Sequence, residues 1–217
     1  MEENLFTSQR VENFPNGGTL TIDANPDSSP TPITSAAVQT AIAAFKHQQW
    51  QAKAIDADAQ LSEIGKEAKH APIRQKCVQA ITNALASVEN LEQSLEQRER
   101  EFYAWPALQP SDAVAAIQDR EIRDYVNSLS SGKLAELTRE MNQGLQPAIT
   151  LALLRSPIPI GKEKGVADVA QNAWRAARNL TDPSFARRIG ISRDSVEWAK
   201  RNLAHLSGMF RIAPQRP

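Results

Sequence analysis

Residues 72–105 read PIRQKCVQAITNALASVENLEQSLEQREREFYAW, and this stretch decides the fold. Its seam recurs at alternating spacings of four and three residues: Cys77, Ile81, Ala84, Val88, Leu91, Leu95, Arg98 and Phe102. Only Arg98 is polar, and a seam of this period is typical of helices packed lengthwise on one another. Pro72 suits the first turn of a helix and Pro106 stops one. We therefore predict a single long helix from 72 to 105.

A second long helix is predicted just before it, over residues 34–69. This segment consists of helix formers, and Thr34 or Ser35 is the candidate N-cap. Its apolar residues at helical spacing are Val38, Ile42, Phe45, Ala52, Ile55 and Ala59. Each helix is about 50 Å long, and a linker as short as His70–Ala71 forces them antiparallel. We predict a long antiparallel helical hairpin over residues 34–105, with two long helices of an ordinary bundle as the alternative.

Residues 1–33 differ in composition from the rest, because Pro, Asn, Gly and Ser recur and exclude a long helix. Residues 19–23 alternate polar and apolar side chains, which predicts a short β-strand. Such a strand needs a partner, either residues 10–14 across the turn at 15–18 or another chain. We predict an extended N-terminal arm, with a disordered tail as the alternative. The side chains expected to bind a partner protein are Phe6, Phe14, Leu20 and Ile22.

Residues 106–160 are predicted to form short amphipathic helices. The first runs from Ser111 to about Leu129. Its apolar face consists of Val114, Ile117, Ile122, Tyr125, Val126 and Leu129. The next carries Leu134, Leu137 and Met141. Gly144 lies just past its end, where helices favour glycine, and Pro147 opens a short apolar helix that we expect to be buried.

Charge is unevenly distributed along the chain, although 25 Lys and Arg balance 25 Asp and Glu overall. Residues 161–217 carry eleven basic against five acidic residues, a net charge of +6. Residues 1–33 carry one basic against five acidic residues, a net charge of −4. The asymmetry suits phosphate contacts by the basic C-terminal helical part, or contacts between acidic arm and basic part in neighbouring copies.

Residues 185–196 match the pattern of a helix-turn-helix. That unit needs a small residue where the helices touch, a Gly four residues later and a branched apolar residue six further on. The three positions are filled by Ala186, Gly190 and Val196. We predict a corner here, which either packs two helices or binds DNA. Nucleic-acid contacts would then be made by Arg187, Arg188, Arg193, Lys200 and Arg201.

No catalytic, metal or cofactor site is predicted. Cys77 is the only cysteine and lies on an apolar seam, which excludes a disulfide framework and disfavours a nucleophile. The histidines His47, His70 and His205 are far apart and lack zinc-ligand spacing. The lysine-containing loop at 161–165 lacks the P-loop pattern. With no signal peptide and no long apolar run, we expect synthesis inside the cell and no membrane partner.

Two segments resemble a known group of proteins. LQPSDAVAAIQDREIRDYVNSL at 108–129 and TLALLRSPIPI at 150–160 are similar to helical proteins encoded among the virion genes of tailed bacteriophages and prophages. The resemblance implies synthesis in the bacterial cytoplasm, a virion location and a capsid-associated, neck or assembly role. We therefore expect a mainly α-helical, non-enzymatic structural protein whose partners are capsid or neck proteins or copies of itself, with no small-molecule substrate. The alternative is a DNA-binding helix-turn-helix regulator.

Overall fold

The computed structural model describes residues 10–14, 19–22, 31–156 and 164–209. Within these residues the chain is mainly α-helical, as the sequence predicts, with one small β-hairpin. The elements are β1 Arg10–Asn13, β2 Thr19–Ile22, α1 Pro32–Asp56, α2 Glu63–Tyr103, α3 Ala113–Ser128, α4 Ser131–Asn142, α5 Pro147–Leu154, α6 Lys164–Thr181 and α7 Pro183–Met209. They belong to two compact units, one of residues up to Gln97 and from Arg188 onward, the other of residues 98–187.

The linker of the helical hairpin lies between α1 and α2, earlier in the sequence than predicted. Asp58 starts the turn by accepting the backbone N–H of Gln60 at 2.9 Å. Ser62 then caps α2, since its hydroxyl accepts the N–H of Gly65 at 3.2 Å. The prediction placed the linker at His70–Ala71, and it is wrong there because Ser62 supplies the stronger start signal.

Pro72 consequently lies inside α2. Proline has no N–H to donate to the preceding turn, so α2 lacks one backbone hydrogen bond at this position. Its ring holds φ near the helical value, which lets the helix continue through it. The two helices are joined close to the linker by His70 Nε2 and Asp56 Oδ1, which are 2.8 Å apart. Pro72 is therefore compatible with one helix that begins nine residues before it.

The first unit has its core along the predicted seam, where α2 packs against α1. The buried seam residues of α2 are Cys77, Ile81, Ala84, Val88 and Leu95. The buried residues of α1 are Thr34, Ala37, Val38, Ala41, Ile42, Phe45 and Gln48. Burial on both helices stops well short of the linker, where Trp50 is 68% and Ile64 is 85% exposed. The linker end of the hairpin therefore leaves large apolar side chains uncovered.

The β-hairpin packs on α1. β1 and β2 are antiparallel, with Arg10 opposite Ile22 and Asn13 opposite Thr19, so the intrachain partner strand is the correct alternative. The ring centre of Phe14 lies 4.4 Å from that of Phe45 in an edge-to-face contact. Glu12, also buried, forms an ion pair with Lys46 of α1. These contacts attach the hairpin to the first unit.

Residues 183–209 form one continuous helix, so the predicted helix-turn-helix corner is wrong. The turn would need an abrupt change of backbone direction near Gly190, and the helix continues through it instead. A continuous apolar stripe explains this, because Ile189, Val196 and Leu203 recur every seven residues and all are buried. Burying that stripe along its whole length outweighs the small loss of helix propensity at one glycine, about 1 kcal/mol.

α7 completes the core of the first unit. The hydroxyl of Ser195 accepts the backbone N–H of Thr31 at 2.9 Å and lies 2.6 Å from that of Thr34 at the start of α1. Lys200 forms an ion pair with Glu92 of α2. α7 is thus bonded to both helices of the hairpin, and the first unit resembles the bundle alternative at this end.

The second unit is built around α3, α4, α5 and α6. Its core consists of Val126, Leu137, Met141, Leu153, Val166, Ala170 and Ala173. The predicted end of α4 is confirmed, since Gly144 takes φ +74° just past the helix. Half-buried Arg155, just after α5, links two other parts of the unit. Its Nε donates to the carbonyl of Pro106 at 2.8 Å, and its Nη1 lies 3.5 Å from buried Asp119 of α3.

Candidate functional site

The second unit contains an open cleft of about 430 Å³. It lies where the C-terminal end of α2 meets α6. Its walls are formed by Arg100, Tyr103, Trp105, Gln171, Trp174 and Arg175. Aromatic and guanidinium groups in a single cleft point to binding of a ligand that is both flat and negatively charged.

The end of α2 is held by side chains of α6. The last carbonyls of a helix have no partner within it, and here two of them accept side-chain hydrogen bonds. The indole N–H of Trp174 donates to the carbonyl of Tyr103 at 2.9 Å, and Nε of Arg178 donates to that of Phe102, also at 2.9 Å. The hydroxyl of Tyr103 donates to Oδ1 of Asn179 at 2.7 Å. These bonds fix the cleft walls.

An aromatic cluster includes the cleft residue Tyr103 and its neighbour Phe102. The ring of Phe102 stacks on that of Phe185 with centres 3.8 Å apart and planes inclined by 17°. The guanidinium carbon of Arg178 lies 4.6 Å from the centre of the Phe102 ring. The combination of stacking and cation–π contact leaves Phe102 and Tyr103 well anchored, with their ring centres 4.9 Å apart.

The sequence does not predict this cleft. The sequence contains one run of aromatic and basic residues at 100–105 and a second at 171–178. The two runs are about seventy residues apart in the chain, and periodicity within each helix does not show that they meet. Only the packing of α6 on the end of α2 brings them together.

A second surface feature is the exposed apolar side of α3. Val114 is 70%, Ile117 58% and Tyr125 55% exposed, and all three lie on one side of the helix. The predicted apolar face of this helix is thus divided. Val126 is buried in the core, with Ile122 and Leu129 packed against it, whereas the other three side chains remain on the surface.

The predicted arm residues have a different environment from the one expected. Phe14 is 5% and Ile22 is 0% exposed, so both are core residues of this chain. Phe6 lies outside the described residues, as does the side chain of Leu20, whose backbone belongs to β2. A buried side chain is not available to another chain without opening the core.

The predicted nucleic-acid residues are distributed along α7. Arg187, Arg193 and Arg201 are exposed, and so is Arg188. Lys200 is paired with Glu92. On a continuous helix Glu197 lies four residues from both Arg193 and Arg201, so an exposed carboxylate separates the two cations. This arrangement is unfavourable for phosphate contacts.

The remaining candidates for reactive or metal-binding residues are Cys77 and the three histidines. Burial raises the pKa of the Cys77 thiol from 9.0 to about 11, which keeps it protonated at neutral pH. Across the described ranges, no group of three or more His, Cys, Asp or Glu side chains is arranged to hold a metal ion. Of the three histidines, His47 and His205 are exposed on separate helices.

Among the helices that the structure describes, none combines the length and the apolar character that crossing a bilayer requires. Comparison of the chain with protein-family models, with curated proteins and with solved structures finds no match in any of the three.

Proposed function

We propose that this chain is a non-enzymatic structural protein that binds other protein chains. The observation that carries the proposal is the exposed apolar side of α3, defined by Val114, Ile117 and Tyr125. Single exposed apolar residues are ordinary on protein surfaces, whereas several aligned on one helix suit docking into an apolar groove of a partner. The buried residues of the same helix hold it in the core, so the docking side is presented on a rigid element.

A more specific form of the proposal is a component of a tailed-phage virion or of its assembly. α3 lies within residues 108–129, one of the two segments that resemble helical virion-associated proteins. The exposed apolar side and the resemblance therefore coincide in the same helix. Partners would be capsid or neck proteins, or further copies of this chain.

The linker end of the hairpin supports the same function. Trp50 and Ile64 are largely exposed there, within about two helical turns of the α1–α2 linker. A long hairpin with apolar side chains near its end has a surface that a partner covers at low entropic cost, because the helices are already formed. The DNA-binding regulator is not proposed, since its helix-turn-helix is replaced by the continuous α7.

The proposal is tested by placing charges on the docking side of α3. In the double variant Val114→Glu and Ile117→Glu, two carboxylates would have to be buried without partners on docking, which we expect to abolish association. The wild-type chain, produced with its neighbouring genes, should sediment with assembled particles, and the variant should remain at the monomer mass. Analytical ultracentrifugation and mass spectrometry of purified particles measure both.

The matched control is Ala116→Glu with Asn127→Glu. It adds the same two charges to α3 at exposed positions away from the docking side, and it should sediment as the wild type does. Equal loss in both variants would mean that charge alone interferes. A wild-type chain that stays monomeric and absent from particles would contradict the proposed function.

A further inference from the structure

The cleft between the end of α2 and α6 presents ring surface to solvent. Tyr103, Trp105 and Trp174 line it, and Trp105 is 39% exposed just after the last residue of α2. The hydrogen-bonding atoms of Tyr103 and Trp174 are engaged within the protein, by Asn179 and by the Tyr103 carbonyl. What these residues offer a ligand is therefore the aromatic ring itself, and a flat ring binds another flat ring by stacking.

The same cleft is cationic. Arg100 and Arg175 are among its lining residues, and the described lining includes no carboxylate. The guanidinium carbon of Arg175 lies 5.2 Å from the centre of the Tyr103 ring. Within the described part of the chain, Arg175 makes no hydrogen bond or ion pair. Its planar fork of N–H donors matches the oxygens of a phosphate group.

The volume of the cleft and its polar side chains restrict the class of ligand further. A volume of about 430 Å³ lies within the range of small-molecule sites. Gln171 adds an amide that both donates and accepts, the group that commonly pairs with base edges. An aromatic residue of a peptide would also supply a ring. A peptide carboxylate, however, has only two oxygens to accept hydrogen bonds from the two guanidinium groups, fewer than a phosphate has.

We propose that this cleft binds a nucleotide, either free or as one unit of single-stranded nucleic acid. The base stacks on the aromatic wall formed by Tyr103, Trp105 and Trp174, and the phosphate pairs with Arg175 and Arg100. The site is separate from the docking side of α3, and it does not use the predicted basic residues of α7.

The test uses the full-length protein and isothermal titration with three probes. These are adenosine monophosphate, a short single-stranded oligothymidine and inorganic phosphate. Binding of adenosine monophosphate identifies a free nucleotide as the ligand, and binding of the oligothymidine alone identifies the single strand. Inorganic phosphate alone should bind much more weakly than either, because it cannot stack.

Two variants remove one half of the site each. Arg175→Ala and Trp105→Ala should each weaken binding of the probe by about tenfold, the order expected for one stacking or phosphate contact. Arg139→Ala and Trp50→Ala are the matched controls, since both residues are exposed and lie outside the cleft. The controls should bind as the wild type does, and circular dichroism should show that all four variants are folded.

Three results would overturn the assignment. The first is that neither nucleotide probe binds at low salt. The second is that the control variants lose as much affinity as the cleft variants. The third is that N-acetyltryptophan, an aromatic carboxylate, binds more tightly than both nucleotide probes. The docking variant Val114→Glu with Ile117→Glu should keep full nucleotide binding, so failure of one proposal is distinguishable from failure of the other.

Discussion

Ser195 is fully buried on α7 and satisfies polar groups at the start of α1. Its hydroxyl accepts the N–H of Thr31 and lies within hydrogen-bonding distance of the hydroxyl of Thr34, which is also fully buried. In Ser195→Ala the N–H of Thr31 would lose its partner, whereas the hydroxyl of Thr34 would keep its bond to the carbonyl of Thr31. We expect the free energy of unfolding to fall by about 1–3 kcal/mol. Urea denaturation followed by circular dichroism measures the difference.

Ser207→Ala is the control for this prediction. Its hydroxyl donates only to the carbonyl of Leu203 in its own helix, at 2.9 Å, so its removal should change stability by less than about 0.5 kcal/mol. If Ser195→Ala is no more destabilising than this control, the polar contact between α7 and α1 does not contribute to the fold.

Cys77 makes stability depend on pH in the alkaline range. Burial raises the pKa of its thiol from 9.0 to about 11, so the folded state disfavours the thiolate that the unfolded chain forms readily. The contribution is fully present below pH 9 and is lost as pH rises toward 11. We expect unfolding free energy to decline more steeply over this window in the wild type than in Cys77→Ala. Equal slopes would show that the thiol is accessible to water.

At the scale of elements, Gly190 distinguishes a continuous α7 from a helix-turn-helix. Alanine stabilises a helix interior relative to glycine by about 0.5–1 kcal/mol, and a Cβ at Gly190 would meet nothing within 4 Å. Gly190→Ala should therefore raise the thermal midpoint. Gly144→Ala should lower it, because φ +74° at that position is strained for alanine. A lower midpoint for Gly190→Ala would indicate a turn in α7.

Local patterns predicted most of the elements and misplaced their junctions. The seam of α2, the end of α4 at Gly144 and the strand at 19–22 all follow from spacing and turn chemistry, which act within a few residues. The α1–α2 linker and the course of α7 depended on competition between two local signals. The start of α2 is at Ser62 because its hydroxyl caps the helix at the N–H of Gly65, and Pro72 is accommodated inside the helix. In α7, burial of the apolar stripe through Val196 outweighs the glycine at position 190.

At the scale of the whole molecule, the surface and the cleft could not be predicted from the sequence. The spacing of its apolar residues predicts the apolar face of α3, but which of these residues face the core depends on where α5 and α6 pack. The cleft depends on Trp174 reaching the carbonyl of Tyr103, a contact across 71 positions in the chain. Such long-range contacts leave no periodic trace in the sequence. Sites of this kind become visible only when the elements are assembled.

The N-terminal segment supplies two buried side chains, those of Phe14 and Ile22. Phe14 packs against Phe45 and is 5% exposed, so the β-hairpin is part of the core of the first unit. Phe14→Ala should lower the unfolding free energy by about 3 kcal/mol, the low end for a buried phenylalanine. Val11→Ala, on β1 three residues before Phe14 but 55% exposed, should change it by less than about 0.5 kcal/mol.

Deletion of residues 1–30 should destabilise the protein at least as much as Phe14→Ala, because it removes Ile22 as well and uncovers Phe45. Thermal unfolding of the truncated chain measures this. A truncated chain with unchanged stability that no longer joins particles would restore the segment as a partner-binding arm. A truncated chain with lowered stability identifies it as a strap that this chain needs for its own core, and leaves docking to the exposed side of α3.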